Sequence, residues 1–328
     1  MGTTMVRPRF PSGSTGEFFV ACRSGKKDLA GYLGSRLGVA EAWAADLLAL
    51  GCVSLDGRIA HPGETINLSA GPHRLAVHFP EAWPRHMAAV EMPLSVLYED
   101  PWLIALDKPP GIVVHPARGH LDNRTLQNGV RYRFRNRLNA PDTCLAPPHR
   151  LDRNTSGVIV FALVRKAYAE LVRQFSERLP RKTYLAILDG QAGFSQFSHR
   201  GDIAPDPERK GFGRVVPPGK GGKAAWTDFH ILESGRDWSL AKAILHTGRQ
   251  HQIRVHAADL GLPLVGDDDY NPDHLRHNPA RQALHAAVLE FDHPLEPGRR
   301  LRIEAPLPSD FQETLVRLRQ RECQEPPR

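Results

Sequence analysis

The sequence predicts a protein of two domains, each built from short helices and short strands. Its 328 residues are enough for two domains with a substantial hydrophobic core. Leucines at helical spacing over residues 26–50 precede an Asp-Gly pair between two short alternating runs, which indicates helices and a hairpin. From residue 94 onwards, short apolar runs are separated by turn residues, which is typical of strands in a larger domain.

The composition indicates a soluble protein with a negatively charged partner. Hydrophobic residues make up 41% of the chain and charged residues 24%, as in ordinary globular proteins. The formal net charge of +7 suits a polyanion such as RNA. No apolar run approaches the roughly 20 residues that a membrane span needs, and the N-terminus lacks the apolar segment of a secretory signal. We therefore expect a cytoplasmic protein that binds RNA, with no membrane contact and no obligate protein partner.

The cysteines give no sign of a metal site or of a disulfide framework. Four are present, and none belongs to a Cys-x-x-Cys pair. This spacing argues against zinc and fits a reducing compartment. They are Cys22, Cys52, Cys144 and Cys323.

The N-terminal part of the chain predicts a tail and a small domain. Residues 1–18 are rich in Gly, Ser, Thr and Pro, and we expect a disordered tail there. Over residues 19–80, two short helices and a hairpin at Asp56-Gly57 resemble the alpha-L RNA-binding domain first known in a ribosomal small-subunit protein. The resemblance implies that basic residues of the helices, Lys26 and Lys27, contact RNA. The alternative is a helical domain that serves only as a cap.

A linker and a larger domain are expected next. Residues 81–93 contain prolines and few periodic apolar residues, which predicts a linker. Residues 94–310 form the predicted larger domain, and residues 311–328 a C-terminal helix and tail. The predicted strands are residues 96–100, 103–107, 112–116, 158–162, 182–188, 226–231 and 239–245, followed by the last strands at 283–286 and 289–294. The predicted helices are 125–137, 166–178, a segment from Gly248 to about Leu260, and 311–321.

Two stretches of this domain have the composition of an RNA-binding surface. Residues 124–137 carry five arginines with Tyr132 and Phe134 between them, a pattern that suits RNA. Residues 190–223 are rich in Gly, Pro and basic residues, and we expect an exposed insertion or hairpin suited to phosphates.

The sequence around Asp152 is the strongest candidate for an active site. The polar run His149–Gly157 leads directly into the apolar run Val158–Ala162, so Asp152 is predicted on a loop at the mouth of a buried strand. Arg150 and Arg153 flank this carboxylate, and neighbouring positive charges favour its ionised form. A positioned carboxylate is a candidate nucleophile, although an Asp beside an Arg is also typical of a surface ion pair or a helix cap.

A second polar motif occupies residues 246–258. Its histidines suggest a metal, but His251 and His256 are five residues apart, whereas zinc on a helix would favour His-x-x-x-His. His251 and Arg254 are three apart and are expected to share a helix face. The acidic run Asp267–Asp269 could bind Mg²⁺ or could cap and pair structurally, and the second interpretation is preferred. We predict no metal site.

Five motifs in order over residues 94–310 resemble the RluA-type RNA pseudouridine synthases. They are Lys-Pro-Pro-Gly from Lys108, His-Arg-Leu-Asp from His149, Lys-Thr-Tyr from Lys182, Gly-Arg-Gln-His-Gln-Ile-Arg-Val-His from Gly248, and Leu-His-Ala from Leu284. The resemblance implies an α+β fold with a central mixed, mostly antiparallel sheet and an active-site cleft across its face. It also implies an isomerase that converts uridine to pseudouridine in structured RNA, foremost in large-subunit ribosomal RNA, without a cofactor.

The resemblance assigns roles to individual residues. Asp152 is the catalytic carboxylate, which either attacks the anomeric carbon of the sugar or removes a neighbouring sugar proton. Arg254 pairs with Asp152, and Tyr184 is the base for the C5 proton, although a phenol with a pKa of ~10 is a weak base. The target base must leave its stack to reach Asp152. The residues expected to contact substrate in the cleft are Arg150, Leu151, Arg249, His251, Gln252 and Ile253.

Three alternatives remain open from the sequence. The same activity could act on transfer RNA, or the fold could serve a non-catalytic RNA-binding protein. A nucleoside or glycoside hydrolase using Asp152 is the third, but such enzymes normally need a second carboxylate near the first. No acidic residue lies close to Asp152 in the sequence.

Overall fold

The computed structural model resolves into two compact units. It describes residues 15–20, 25–37, 41–49, 51–70, 72–78, 89–115, 124–138, 140, 142–209, 211–217 and 219–324. The N-terminal unit comprises Met1–Val90 and Pro116–Arg124, and the large unit comprises Glu91–His115 and Thr125–Arg328. The predicted linker lies partly outside the described residues, and the described residues 89–94 have neither helix nor strand.

The described residues of the N-terminal unit form two helices and two small sheets. Its strands are β1 (Thr15–Val20), β2 (Lys26–Asp28), β3 (Val53–Leu55), β4 (Arg58–Ile59), β5 (Thr65–Asn67) and β6 (His73–His78), and its helices are α1 (Leu29–Leu37) and α2 (Glu41–Ala49). One sheet has the order β1-β6-β3-β4, and β2 pairs with β5. The predicted helices and hairpin are confirmed. Asp56 and Gly57 have φ values of 52° and 84°, as the two central residues of a tight hairpin turn require.

Two predictions for this unit are wrong. Strand β1 begins at Thr15, inside the predicted disordered tail, because it pairs with β6, a distant partner that local composition does not reveal. Lys26 and Lys27 lie exposed on strand β2 rather than on a helix. Helix α1 starts after Asp28, whose carboxylate accepts the N–H of Gly31 at 2.8 Å and so caps the helix. Residues 1–14 lie outside the described part of the chain.

The large unit is built on one sheet of ten strands. Among its described residues the unit has twelve strands. The twelve are β7 (Ser95–Glu99), β8 (Leu103–Lys108), β9 (Thr143–Ala146), β10 (Ser156–Val164), β11 (Arg181–Asp189), β12 (Gln196–Arg200), β13 (Asp202–Pro205), β14 (Gly213–Val216), β15 (Trp226–Ser234), β16 (Trp238–Leu245), β17 (Leu284–Asp292) and β18 (Arg300–Glu304). Of these, β13 and β14 pair with each other outside the large sheet. Its helices are α3 (Leu126–Arg133), α4 (Arg165–Ser176), α5 (Gln252–Asp259) and α6 (Ser309–Gln324). The strand order is β12-β15-β16-β11-β17-β10-β8-β7, with β18 beside β17 and β9 beside β10.

The sheet is mixed and mostly antiparallel, which confirms the predicted fold class. Its only parallel pair in the described chain joins β10 to β17, through Ser156 and Gly157. Gly157 has φ 114°, and a β-carbon there would lie 2.2 Å from the carbonyl oxygen of Ala286. Only glycine allows this close approach of two backbones, which sets the start of β10 directly after the Asp152 loop.

Strand β10 is buried on both faces, which explains its unbroken apolar sequence. Ile159 and Phe161 pack into the core on the cleft side of the sheet, with residues of α3 and α5. Val158 and Val160 pack into a second core on the other side, against α4 and β18. Because a strand buried on both faces shows no alternation, its sequence reads as a continuous apolar run.

Two further predictions for this unit need correction, and the hairpin expected within residues 190–223 is confirmed. Residues 112–115 do not form a strand, because the carbonyls of Val113 and Val114 accept the first N–H groups of α3. Residues 190–223 are partly structured: they supply the edge strand β12 and the hairpin β13–β14. Helix α5 begins at Gln252, later than the glycine motif suggests, because His251 has a left-handed φ of 54°.

The C-terminal helix belongs to the large unit. Helix α6 begins at Ser309, two residues before its predicted start, and it is not a separate appendage. Phe311, Leu315 and Leu318 are buried against Ile187 and Trp238 on the sheet face opposite the cleft. Within the part of the chain that is described, no helix is both long and apolar enough to cross a membrane.

Candidate active site

The loop that carries Asp152 is fixed to the protein through its backbone. Lys108, fully buried at the end of β8, holds one side of this loop. Its ammonium donates hydrogen bonds of 2.8 or 2.9 Å to three backbone carbonyls, those of Pro109, Ile112 and Arg153. Burial and the charge of Arg281 lower the pKa of Lys108 to about 7. The three carbonyl acceptors match the three hydrogens of the protonated ammonium.

Arg281 holds the other side of the loop. Its Nη1 donates to the carbonyl of Asn154 at 2.8 Å, and its Nη2 donates to the hydroxyl of Ser156 at 3.0 Å. Its Nε donates to Asp310, near the start of α6, at 2.6 Å. The side chain is 8% exposed, so this ion pair is largely shielded from solvent. The Asp152 loop is therefore tied to the C-terminal helix.

Asp152 points into a cleft, and the basic side chains within 4.0 Å of its carboxylate come from the second motif. Its carboxylate oxygens lie 3.9 Å from His251 Nε2 and 4.0 Å from Arg254 Nη1. Arg153, which flanks it in sequence, instead donates its Nε to the carbonyl of Gly111 at 3.0 Å. The prediction that both flanking arginines hold this carboxylate ionised is therefore wrong for Arg153. Arg150 is exposed and lines the cleft.

Arg254 is fixed by two carboxylates behind it. Nε and Nη2 donate to the two oxygens of Asp267 at 2.7 and 2.5 Å, and Nη2 also donates to Asp269 at 2.6 Å. Burial opposes the charge of Arg254, but the bonds to both acids and the charge of Asp152 outweigh it and raise its pKa. The remaining Nη1 is thus directed towards Asp152 as a permanent cation.

The acidic run Asp267–Asp269 therefore holds Arg254 in its orientation. Asp267 is fully buried and Asp269 is half-buried, and both are bonded to Arg254. Their carboxylates and that of Asp268 lie within 4.8 Å of one another, close enough in principle for a shared cation. The bonds to Arg254 agree with the preferred interpretation of this run as a structural pair.

His251 reaches the cleft because of its backbone conformation. Its left-handed φ of 54° directly precedes α5. Nδ1 lies 3.1 Å from the hydroxyl of Tyr270, which leaves Nε2 on the side of Asp152. Burial lowers the pKa of His251. An uncharged imidazole beside Asp152 is favoured at neutral pH, so Arg254 supplies the lasting positive charge.

Tyr184 lies on β11 and lines the same cleft. Its side chain is 9% exposed. Burial and then the charge of Asp152 raise its pKa above the usual value for a phenol. The phenol is therefore protonated at neutral pH, and it can accept a proton only while it gives its own away.

The cleft brings together nearly all residues that the sequence assigns to the site. Its volume is about 550 Å³. Leu151 and Ile253 are mostly buried in its wall. The side-chain amide of Gln252 is bonded within the protein: its oxygen accepts from the hydroxyl of Thr247, and its nitrogen donates to the carbonyl of Trp226. Lys26 and Lys27 belong to the N-terminal unit, where they are exposed. The predicted residues that line the cleft are Arg150, Leu151, Asp152, Tyr184, Arg249, His251, Gln252, Ile253 and Arg254.

Several residues of the site were not assigned from the sequence. Lys182 and Arg178 line the cleft, and Lys108 and Arg281 hold the Asp152 loop. The period-two pattern of β11 offered a signal for Lys182, because it shares the face of Tyr184 two residues away. No local signal marks Arg281, since its partners on the Asp152 loop, Asn154 and Ser156, are more than a hundred residues earlier in the chain.

Comparisons with known proteins show which family the chain is similar to. A family model described as RNA pseudouridylate synthase matches residues 102–259. The chain is 38% identical over 257 residues to an uncharacterized RNA pseudouridine synthase of Synechocystis sp., covering 76% of each chain. It is 35% identical over 284 residues to ribosomal large subunit pseudouridine synthase D of Pseudomonas aeruginosa, covering 82% of this chain and 85% of that protein.

A solved structure has the same fold. Human RNA pseudouridylate synthase domain containing 1 superimposes with a TM-score of 0.56 at 27% sequence identity. The match covers 72% of this chain and 97% of the human chain.

Proposed function

We propose, from the premise that this chain belongs to the RluA-type RNA pseudouridine synthases, that its substrate is large-subunit ribosomal RNA. The chain is thus an isomerase that converts uridine to pseudouridine in RNA. The observation that carries the assignment of its active site is the meeting of Asp152, Tyr184 and Arg254 in one cleft, with Arg254 Nη1 4.0 Å from Asp152.

The reaction explains what each of these groups contributes. The bond between N1 of uracil and the sugar breaks, the uracil turns while it is held, and C5 joins the same sugar carbon. Asp152 acts at the sugar, either as a nucleophile at the anomeric carbon or as a base for a neighbouring proton. Arg254 places a positive charge beside this carboxylate and directs it. The partly buried cleft limits the access of water, which would otherwise release free uracil.

Tyr184 is proposed to handle the C5 proton. Its pKa is raised, so a free tyrosinate is disfavoured at neutral pH. We therefore expect the phenol oxygen to accept the C5 proton as its own proton passes to a neighbour. Asp152 is a candidate acceptor, because its charge already acts on Tyr184.

The preference for large-subunit ribosomal RNA is supported by the relatives. Besides that of Pseudomonas aeruginosa, a relative from Xanthomonas campestris pv. campestris carries the name ribosomal large subunit pseudouridine synthase D, at 36% identity over 278 residues. The two helices and hairpin of the N-terminal unit resemble the alpha-L domain, and Lys26 and Lys27 are exposed there for contact with RNA.

A comparison of unmodified RNAs tests this proposal. In vitro transcripts of large-subunit ribosomal RNA, small-subunit ribosomal RNA and transfer RNA, each labelled with tritium at uracil C5, are incubated with the enzyme. We expect tritium release from the large-subunit transcript alone, and mapping by carbodiimide treatment and primer extension then locates the uridine. Release from transfer RNA alone would contradict the proposed substrate while leaving the isomerase activity intact.

The contribution of the N-terminal unit has its own test. Lys26→Ala/Lys27→Ala is expected to raise KM for the large-subunit transcript and to leave kcat unchanged. Arg58→Ala is a suitable control, because Arg58 is exposed and already paired with Glu64 at 2.7 Å. An unchanged KM for the double variant would remove these lysines from the RNA-binding surface.

A further inference from the structure

We infer that Lys182, Arg178 and Arg249 form a binding site for one phosphate group of the RNA backbone inside the active-site cleft. The inference rests on RNA as the substrate, as proposed above, and it specifies where the backbone beside the reacting nucleotide is held.

The three residues come from three different segments and line the same cleft. Arg178 follows the end of α4, Lys182 lies on β11, and Arg249 lies in the turn before α5. The ammonium of Lys182 donates to the carbonyl of Thr247 at 3.3 Å. A β-carbon on Gly248 would lie 3.6 Å from the same nitrogen. The tip of Lys182 is therefore packed against the turn that carries Arg249.

Within the described ranges, the positive charges of this cluster have no carboxylate partner in an ion pair. Among the residues that the structure describes, no carboxylate lies within 4.0 Å of these three cationic groups. Burial, and then the charges of Arg178 and Arg249, lower the pKa of Lys182 to about 8. Cations held near one another without an anion are unfavourable, and a bound phosphate removes that cost.

The chemistry of the three side chains suits a phosphate. A guanidinium presents a planar fork of N–H donors that matches phosphate oxygens, and an ammonium acts as a compact point charge. Arg249 uses its Nε on the carbonyl of Ala224 at 3.0 Å, which fixes the plane of its guanidinium and leaves its terminal nitrogens for a ligand. Lys182 is half-buried. A phosphate that binds there leaves water and contacts side chains that are already held in place.

The backbone of Arg178 gives independent support. Arg178 has a φ of 62° and directly follows Glu177, the C-cap residue of α4. Glycine is the usual residue at this left-handed position, and a side chain there costs free energy. The guanidinium of Arg178 lies at the cleft, although a left-handed arginine costs conformational free energy that a glycine would avoid.

The site lies beside the reacting nucleotide. Lys182 and Tyr184 are two residues apart on β11, so they share one face of the strand at a spacing of roughly 7 Å. The bound phosphate is accordingly one that flanks the uridine whose base enters the cleft.

Binding of fluorescein-labelled dodecauridylate, measured at several salt concentrations, tests the site. Lys182→Met is expected to weaken binding roughly tenfold and to reduce the slope of log affinity against log salt by about 0.7, the value for one phosphate of a single strand. Arg178→Met, at an exposed position that carries little risk of misfolding, is expected to reduce the slope as well. Lys182→Arg is expected to retain most of the affinity.

Lys242→Met is the matched control. Lys242 lies on the neighbouring strand β16, between Ala241 and Ala243, whose side chains face the cleft core, so it points to the opposite side of the sheet. We expect this variant to bind like the wild type. An equal loss in Lys242→Met would show a general charge effect and would overturn the proposed site, as would an unchanged salt slope in a folded Lys182→Met protein.

Turnover separates binding from catalysis and from the proposed substrate. With bulk ribosomal RNA labelled at C5, Lys182→Met should raise KM and retain kcat. A collapse of kcat with unchanged affinity would place Lys182 in the chemical step and contradict a phosphate site. If the wild type releases no tritium from ribosomal RNA, the proposed substrate fails, while the salt slope with dodecauridylate still decides whether the phosphate site exists.

Discussion

Asp267 holds Arg254 through two hydrogen bonds, Nε to Oδ2 at 2.7 Å and Nη2 to Oδ1 at 2.5 Å. Asp267 is fully buried and Arg254 is 3% exposed, so this pair is shielded from solvent and salt. Because both bonds use one edge of the guanidinium, the remaining nitrogen is directed towards Asp152. The orientation of the catalytic carboxylate's partner thus depends on a residue that does not reach the substrate.

Asp267→Asn should therefore reduce both stability and turnover. The buried guanidinium would lose its main counter-charge, and breaking a buried pair typically costs about 3–5 kcal/mol. We expect a lower free energy of unfolding in urea and a lower kcat, with RNA affinity retained. Asp268→Asn is the control, because Asp268 is exposed, and its change should stay within about 0.5 kcal/mol. Equal stability of the two variants would show that the Arg254–Asp267 pair is not needed.

Arg281→Lys should slow the reaction without weakening RNA binding. A lysine cannot bond Asp310 and also reach Asn154 and Ser156, so the Asp152 loop would lose one of its two attachments. Misplacement of a catalytic group by about 1 Å can cost up to about a hundredfold in rate. We expect kcat to fall by about that factor at most, with KM unchanged, in steady-state tritium release.

The control for Arg281 is Arg319, which lies on α6, the helix that also carries Asp310. Arg319 forms an exposed ion pair with Glu233, and such pairs contribute little. Arg319→Lys should therefore leave kcat and stability as in the wild type. A normal kcat in Arg281→Lys would show that the C-terminal helix does not position the Asp152 loop.

The sequence predicted most of the site because the motifs themselves carry the reacting groups. Asp152, Tyr184 and Arg254 lie in three separate motifs, and resemblance to one family was enough to connect them. The loop-and-strand interpretation of residues 149–162 was also accessible locally, since a strand buried on both faces has an unbroken apolar sequence.

The features that the sequence did not predict are those that depend on contacts between distant segments of the chain. Arg281 meets Asn154 across 127 positions of the chain, and no local pattern encodes that meeting. Residues 112–115 have strand composition, yet their carbonyls are used by α3. Arg153 is next to Asp152 in sequence, but its guanidinium is bonded to Gly111. In each case the partner was decided by tertiary packing.

Because His256 is buried with a lowered pKa, we expect the protein to lose stability in acid. His256 is fully buried on α5, with Nδ1 2.9 Å from the hydroxyl of Thr227. Burial, and then the charge of His199, lower its pKa to about 4, while Asp259 and the Gly201 carbonyl oppose the shift. The unfolded chain binds this proton from about pH 6.5 downwards. Stability is therefore full above pH 6.5, and this group removes about 3 kcal/mol as the pH falls to 4.

The effect of His256 is measured as a difference between proteins. Urea unfolding at several pH values between 4 and 7 should show a shallower loss of stability for His256→Gln than for the wild type. His230→Gln, at a half-exposed position on β15, should keep the wild-type slope. The same slope in all three proteins would show that His256 does not titrate in this range.

The catalytic assignment of Asp152 is tested most directly by tritium release from RNA labelled at uracil C5, with wild type and Asp152→Asn compared at equal RNA saturation. Joining C5 to the sugar expels the C5 hydrogen, so release reports the isomerisation itself. We predict release by the wild type and a decrease of at least about a thousandfold for Asp152→Asn, with unchanged RNA affinity. Comparable release by both proteins would show that Asp152 is not the catalytic residue.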